Sequence, residues 1–376
     1  MNKILLKIPV CAIVLLFYVF ISSGNTKENT NNTIDKSSHS TLAELGEAKD
    51  LPVELGEVEW IRNFDEATTK AKKLNKPLLV LFQEVPGCST SSGYGNNVLS
   101  HPLIVEAIET LFVPAAIYNN NKGEDERVLK SFGEPSWNNP VVRIMTPERQ
   151  ELVSRLSGDY TKAGLIGAMI TALESNNKTV PPYLSLLAQE LNVKFGSRER
   201  AVFAMHCFWI GEGQLANIKG VISTKPGYMG GYEVVELEFN PEIISFEDLV
   251  KKGKLNNVAS HIFTVNSGQS AVAKDIVGEG SVSPRSGFRA DSKPKYYLSG
   301  TLYRYVPMTN LQIARVNASL GSLRSPDSFL SPRQLELYKY IENHQELNWP
   351  NSLRSSDFNT AWNKTISLLN KQISRR

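Results

Sequence analysis

At 376 residues the chain is too long for one ordinary core, and a domain size of about 150 residues points to two globular units with additional segments. The composition is that of a soluble globular protein. Lys and Arg number 41 against 38 for Asp and Glu, with no basic run interleaved with aromatics, so no nucleic acid is expected as a partner.

Lys3 and Lys7 precede an apolar stretch from Ile8 to Ile21, and Ser22-Ser23-Gly24 offers small residues for cleavage. A signal peptide over 1–24 is therefore expected, and with it an exported protein, periplasmic or secreted. The apolar run is shorter than the roughly 20 residues that span a bilayer, so cleavage is favoured over anchoring. The membrane becomes a partner only if the segment stays uncleaved and tethers the chain. Cys11 would leave with the signal, and only Cys88 and Cys207 remain in the mature chain.

Residues 25–54 are expected to be a flexible tether, because residues 25–40 are mostly Asn, Thr, Ser and Lys and cannot bury a core. Folded structure is expected to begin near Val58. Phe64 through Leu74 has the spacing of an amphipathic helix ended by Asn75-Lys76-Pro77, and Leu78 to Phe82 is an apolar run of strand length. That strand leads straight into Val85-Pro86-Gly87-Cys88-Ser89-Thr90-Ser91. His101-Pro102-Leu103 opens a further helix, Leu111 to Tyr118 reads as a strand, Pro140 precedes another, and Gly158 to Glu174 reads as a closing helix. The polar run from Ser175 to Pro181-Pro182 marks a boundary, and residues 183–192 read as a linking helix.

Arg200 to Met205 reads as a strand that delivers Cys207 to a helix start, with Gly211 to Ile218 as the helix and Glu233 to Phe239 as an alternating strand. Strand, helix and strand with a cysteine at the first junction suit a two-layer α/β sandwich. Beyond residue 290, Tyr296-Tyr297-Leu298 and Tyr303-Arg304-Tyr305 read as strand or loop. Thr309 to Leu320 has helical spacing, Ser331-Pro332 opens a helix with Pro in its first turn, and Phe358 to Gln372 reads as an amphipathic helix.

Two motifs carry the chemistry. Cys207-Phe208-Trp209, Glu212, Gly220-Val221, Ser223-Thr224 and Gly227-Tyr228-Met229-Gly230-Gly231 fall at the spacing of the A-type methionine sulfoxide reductases, which this segment resembles. A thiolate beside two large aromatics suits chemistry on a thioether, since the rings can cradle an S-methyl group and exclude water. The resemblance implies Cys207 as nucleophile, Glu233 in place of the family's acid, and Phe208, Trp209, Tyr228 and Tyr232 as substrate-binding residues. Family members also carry, downstream, an Asp and a Tyr that help bind the sulfoxide oxygen; the nearest segment here, Val265-Asn266-Ser267-Gly268-Gln269-Ser270, keeps only a Gly and a Gln, so both helpers are read as lost. The Val-Pro-Gly-Cys-x-Thr stretch around Cys88 resembles thioredoxin-like proteins, some of them selenoproteins, whose reactive cysteine or selenocysteine follows the central strand. In that fold the Pro before the later strand, here Pro140, is cis; an ordinary strand-initiating proline is the alternative. The usual second cysteine of the motif is Ser91.

Each residue also has a plainer reading. Cys207 could be a core cysteine among core aromatics, and Glu233 a solvent-facing strand carboxylate like Glu236 and Glu238. Cys88 and Cys207 could form a structural bridge between domains or be unrelated thiols. His206 could assist thiolate formation at Cys207, but neighbours on a strand point apart, so a packing or surface role is expected for it; His101, His261 and His344 show no ligand spacing, so no metal and no bound cofactor are expected. Taken together, the sequence is expected to form an α/β protein. Its parts are a thioredoxin-like domain over 55–176, a linker over 177–198, a reductase-like sandwich over 199–290 and a mainly helical extension over 291–376. The expected function is thiol-dependent reduction of methionine (S)-sulfoxide, free or in proteins, by Cys207, with Glu233 as proton donor and Cys88 as resolving thiol. An external thiol, small or thioredoxin-like, would be the reductant. The alternatives are a non-catalytic protein that binds oxidised or Met-rich partners, and a disulfide-exchange or peroxide-reducing protein acting through Cys88.

Overall fold

The computed structural model describes residues 51–192 and 198–373, so the expected signal peptide and most of the expected tether lie outside the described residues. The described residues form two sheets with helices in an α/β arrangement.

The first sheet grows from the apolar run after the first helix. Asn63 caps α1 (Phe64–Leu74) by accepting the Glu66 N–H, and Asn75 ends it in the left-handed conformation at φ 50°, as its Asn-Lys-Pro sequence demands. β1 (Leu78–Gln83) is buried along its whole length, because helices cover both faces of the sheet. After β1 come α2 (Ser89–Tyr94), a π-helical turn over Gly95–Leu99, α3 (Pro102–Leu111), β2 (Val113–Tyr118), α4 (Glu124–Ser131), β3 (Val141–Met145), β4 (Leu156–Ser157) and α5 (Lys162–Ser175). The strand order is β2-β1-β3-β4, with β1 parallel to β2 and antiparallel to β3. This is the thioredoxin-like layout that the Cys88 motif implied, with the cysteine at the junction of the central strand and the next helix. The Asn139–Pro140 peptide is cis, and so is Val85–Pro86. Folded structure starts earlier than Val58: a 3₁₀ turn at Val53–Leu55 buries Leu55 and Glu54, because Glu54 Oε1 accepts the Gly87 N–H at 2.8 Å and so has a partner inside.

α6 (Pro182–Asn192) leads to the second sheet, built from β5 (Glu199–Met205), β6 (Val221–Met229), β7 (Tyr232–Phe239), β8 (His261–Thr264), β9 (Val282–Pro284) and β10 (Arg289–Ala290), in the order β10-β6-β7-β5-β8-β9. Between these strands lie α7 (Phe208–Ala216), α8 (Phe246–Leu255) and α9 (Ser267–Val277). Odd-numbered residues of β5 and β7, from Ala201 to Met205 and from Val235 to Phe239, pack under the helices. Val202, Ala204 and Val234 point to the opposite face with Met229 and Phe263, as the period-2 alternation of strands requires.

The remaining helices are α10 (Tyr296–Ser299), α11 (Asn310–Gly321), α12 (Pro332–Asn343) and α13 (Phe358–Ile373), around a core that includes Leu298, Leu337, Trp349 and Trp362. Tyr296-Tyr297-Leu298 and Tyr303-Arg304-Tyr305 are thus short helical turns rather than strand or loop. The reason is tertiary: Leu298 is buried and its N–H donates to Asn317 Oδ1 of α11 at 3.1 Å, a bond invisible in a four-residue window. Small residues let α11 lie close on α7, where Ala314 and Ala318 meet Ala216. Among the described residues no helix is long and apolar enough to cross a membrane.

Candidate active site

The site is assembled by a two-residue hairpin and one strand end. Gly230 at φ 57° and Gly231 at φ 84° supply the two left-handed residues that a tight hairpin turn needs. They place Tyr228 directly opposite Glu233 across β6 and β7, while Met205 of β5 pairs with Glu233 from the other side. Cys207 follows Met205 by two residues, in extended conformation, and caps α7. Gly211 allows that helix to sit down on the strand: a Cβ there would fall 1.7 Å from Met205 Sδ.

Cys207 is a half-buried free thiol. Glu233, also half-buried, accepts the Phe208 N–H through Oε2 at 2.9 Å. The carboxyl group is thereby fixed on the first turn of the helix that Cys207 caps, where unpaired N–H groups favour an acceptor. Glu236 and Glu238 do something else, pairing with Arg285 and Arg200 near the surface.

Aromatic rings complete the cluster. Phe208 is buried and meets Trp209 and Tyr228 edge-on, at centroid distances of 5.5 and 5.3 Å. The Arg289 guanidinium lies 4.3 Å from the centre of the Tyr228 ring. Trp209 stacks on Tyr296 at 4.1 Å and 11°, and its indole N–H donates to Asp291 Oδ2 at 3.1 Å. Tyr232 does not join them. It is the neighbour of Glu233 on a strand, so it points to the opposite face of the sheet, where it stacks on His261 at 5.0 Å. His206 is exposed.

Behind the cluster, Glu212 of α7 is fully buried. It accepts from Lys295 Nζ at 2.5 Å and from Asn317 Nδ2 at 3.3 Å; the same ammonium reaches the Thr224 carbonyl at 2.6 Å. A buried carboxylate without such a cation would be costly. Asp291, Lys295 and Tyr296 are not legible as site residues in the sequence, since they follow the recognisable motif and carry no spacing that marks them. Segment 265–270 serves the fold, whereas the structure brings an Asp and a Tyr, Asp291 and Tyr296, to Trp209 from further along the chain. Asn266 caps α9, and Gln269 Nε2 donates to the Arg200 carbonyl at 2.9 Å, at the end of β5 remote from Cys207.

Cys88 is an exposed free thiol at the start of α2. Its Sγ lies 3.7 Å from Ser91 Oγ, whose hydrogen is engaged by Asn139 Oδ1 at 2.6 Å. The Ser91 backbone N–H, with that hydroxyl behind it, holds the Cys88 thiol below the usual thiol range. The bonds around Cys88 come from Glu84 and Ser91 and those around Cys207 from residues 208 to 296, so each cysteine is surrounded by its own sheet and helices.

No family model matches the chain. Among curated proteins, "Peptide methionine sulfoxide reductase MsrA 1" of Nostoc sp. is 36% identical over 81 residues, covering 16% of this chain and 50% of that protein. A peptide methionine sulfoxide reductase MsrA of Methanococcus maripaludis is 41% identical over 69 residues, covering 14% and 44%. The mitochondrial peptide methionine sulfoxide reductase of Bos taurus is 35% identical over 94 residues, covering 20% and 36%. The chain thus spans half the length or less of these relatives. Two solved structures are also similar. Mxr1 from Saccharomyces cerevisiae in an unusual oxidised form has TM-score 0.21 and 16% identity, over 24% of this chain and 74% of that one. DsbH oxidoreductase has TM-score 0.28 and 14% identity, over 36% and 95%. The chain therefore carries, over less than a quarter of its length, a segment homologous to the A-type peptide methionine sulfoxide reductases.

Proposed function

We propose that the protein is an exported, thiol-dependent reductase of methionine (S)-sulfoxide, free or in proteins, with its reaction centred on Cys207. The observation that carries the reading is the bond from the Phe208 N–H to Glu233, which holds a carboxyl group on the helix turn that begins at the nucleophile. The Cys207 thiolate attacks the sulfoxide sulfur while the protonated Glu233 carboxyl gives its proton to the oxygen. In that form one oxygen can accept from Phe208 while the other donates to substrate. The S–O bond breaks, methionine leaves as a thioether, and Cys207 carries the oxygen as a sulfenic acid, oxidised by two electrons. Phe208, Trp209 and Tyr228 supply the apolar wall for the S-methyl group.

Condensation of the sulfenic acid with a thiol releases water and forms a disulfide, which an external dithiol then reduces. Cys88, with its lowered thiol pKa, is the partner within the mature chain. Its role requires the Cα atoms to come within about 7 Å.

The test is turnover of free and peptidyl methionine sulfoxide with dithiothreitol. Wild-type protein is expected to produce methionine, Cys207→Ser none, and Cys88→Ser is expected to keep the first reductive turnover intact. Wild-type protein that binds the sulfoxide without producing methionine would replace this reading with a binding function.

A further inference from the structure

Arg289 stands beside the substrate wall with its N–H groups unused, and we propose that it binds the α-carboxylate of methionine sulfoxide, so that the site prefers the free or C-terminal residue to one inside a polypeptide. The inference rests on the functional reading above. Cross-strand pairing sets Arg289 of β10 opposite Tyr228 of β6, and Tyr228 opposite Glu233 of β7. Directly opposed residues share a face of a sheet, so all three form one row on the face where Tyr228 packs with Phe208 and Trp209. The Arg289 guanidinium folds back over the Tyr228 ring, 4.3 Å from its centre. What separates it from Glu233 is then the gap between neighbouring strands, about 5 Å, which the short chain between the sulfur and the carboxylate of methionine can cover.

Two other arginines around this sheet have acids of their own, Arg285 on Glu236 and Arg200 on Glu238. Arg289 does not. It is exposed, and its guanidinium makes no hydrogen bond or ion pair to any described residue; the carboxylate two positions on, Asp291, accepts the Trp209 indole N–H. The ring contact steadies the guanidinium without consuming its donors, because a cation over a ring face keeps its N–H groups at the edge. A planar fork held in this way suits bidentate binding of a carboxylate. An internal methionine sulfoxide offers only a neutral amide at that place.

Protein carrying Cys207→Ser allows binding to be measured without turnover. The probes are N-acetylmethionine sulfoxide and its α-amide, which differ only in the carboxylate. Titration calorimetry at low salt is expected to show about three- to tenfold tighter binding of the carboxylate form, and the ratio should shrink toward one in about 1 M salt. Adding Arg289→Gln should bring the ratio near one by weakening the carboxylate form alone, while Arg289→Lys, which keeps the charge without the fork, should keep part of the preference. A parent that binds both probes equally, or neither, would overturn the proposal, and so would an Arg289→Gln variant that weakens both alike, as loss of a support for Tyr228 would. An acidic side chain in the next residue is the other source of a carboxylate. A preference for Asp over Asn after the methionine sulfoxide of a peptide, with none for the α-carboxylate, would overturn the assignment. Failure of the functional reading is a separate result, namely carboxylate-selective binding by a wild-type protein that forms no methionine.

Discussion

Glu233 and Glu236 differ by three positions in one strand, yet only Glu233 finds a backbone N–H at a helix start, whereas Glu236 pairs with Arg285 near the surface. That difference is what the proposed proton donor would need: a fixed carboxyl group beside Cys207. Glu233→Gln keeps the acceptor for Phe208 but removes the ionisable proton, and should lower the rate of sulfoxide reduction by about 10²-fold or more. A loss under about threefold in kcat/KM would return Glu233 to the role of a structural cap. At Cys88 the lowered thiol pKa rests first on the Ser91 backbone N–H. Alkylation of Cys88 should therefore reach half its plateau rate at a pH below that of an ordinary thiol. Ser91→Ala, which spares the backbone, should raise that midpoint only modestly; a return to the ordinary range would assign the effect to the hydroxyl instead.

Between elements, the most consequential joint is the hairpin that sets Tyr228 against Glu233. Gly231 at φ 84° sits where an L side chain is strained, so Gly231→Ala should cost about 1–2 kcal/mol of stability, measured by urea denaturation. A second joint lies between α3 and α12. There Glu106 accepts the Arg333 N–H at 2.8 Å, and the Arg333 side chain pairs with Glu109, all buried. Burial raises the Glu106 carboxyl to about 7, against the hydrogen bond and charge of Arg333. Its folded value exceeds its unfolded value near 4.5, so the folded state holds the extra proton in the window between them. Stability from this group is present below pH 4.5 and is lost as pH rises through 7, by an amount of order 3 kcal/mol. Glu106→Gln should flatten this dependence, gaining on wild type at about pH 8 relative to about pH 5; parallel curves would contradict the assignment.

Elements of this kind differ in how far the sequence announces them. The Gly-Tyr-Met-Gly-Gly turn, the helix stop at Asn75 and the strand before Cys88 are dictated by backbone chemistry within a few residues, and all three are legible. Tyr232 falls outside the Phe208–Trp209–Tyr228 ring cluster because strand alternation sends it to the face opposite Glu233, a consequence visible only once Glu233 is fixed. Asp291, Lys295 and Tyr296 stay hidden because what brings them to Trp209 and Glu212 is pairing of β10 with β6, two segments distant in sequence.

For the molecule as a whole, two thiol motifs lie in one chain, each at the end of a strand of its own sheet. If Cys88 resolves the Cys207 sulfenate, digestion of alkylated protein after one turnover should yield a linked Cys88–Cys207 peptide pair; a persistent sulfenate beside a free Cys88 would assign Cys88 another partner. The prior claim is that Cys207 takes the oxygen. Its most direct measurement is a single turnover of Cys88→Ser protein with one equivalent of methionine (S)-sulfoxide and no reductant, following methionine release and trapping of sulfenic acid by mass spectrometry. One methionine per chain and the trapped adduct on Cys207 are expected. Release of no methionine, with Cys207 recovered as a free thiol, would contradict it.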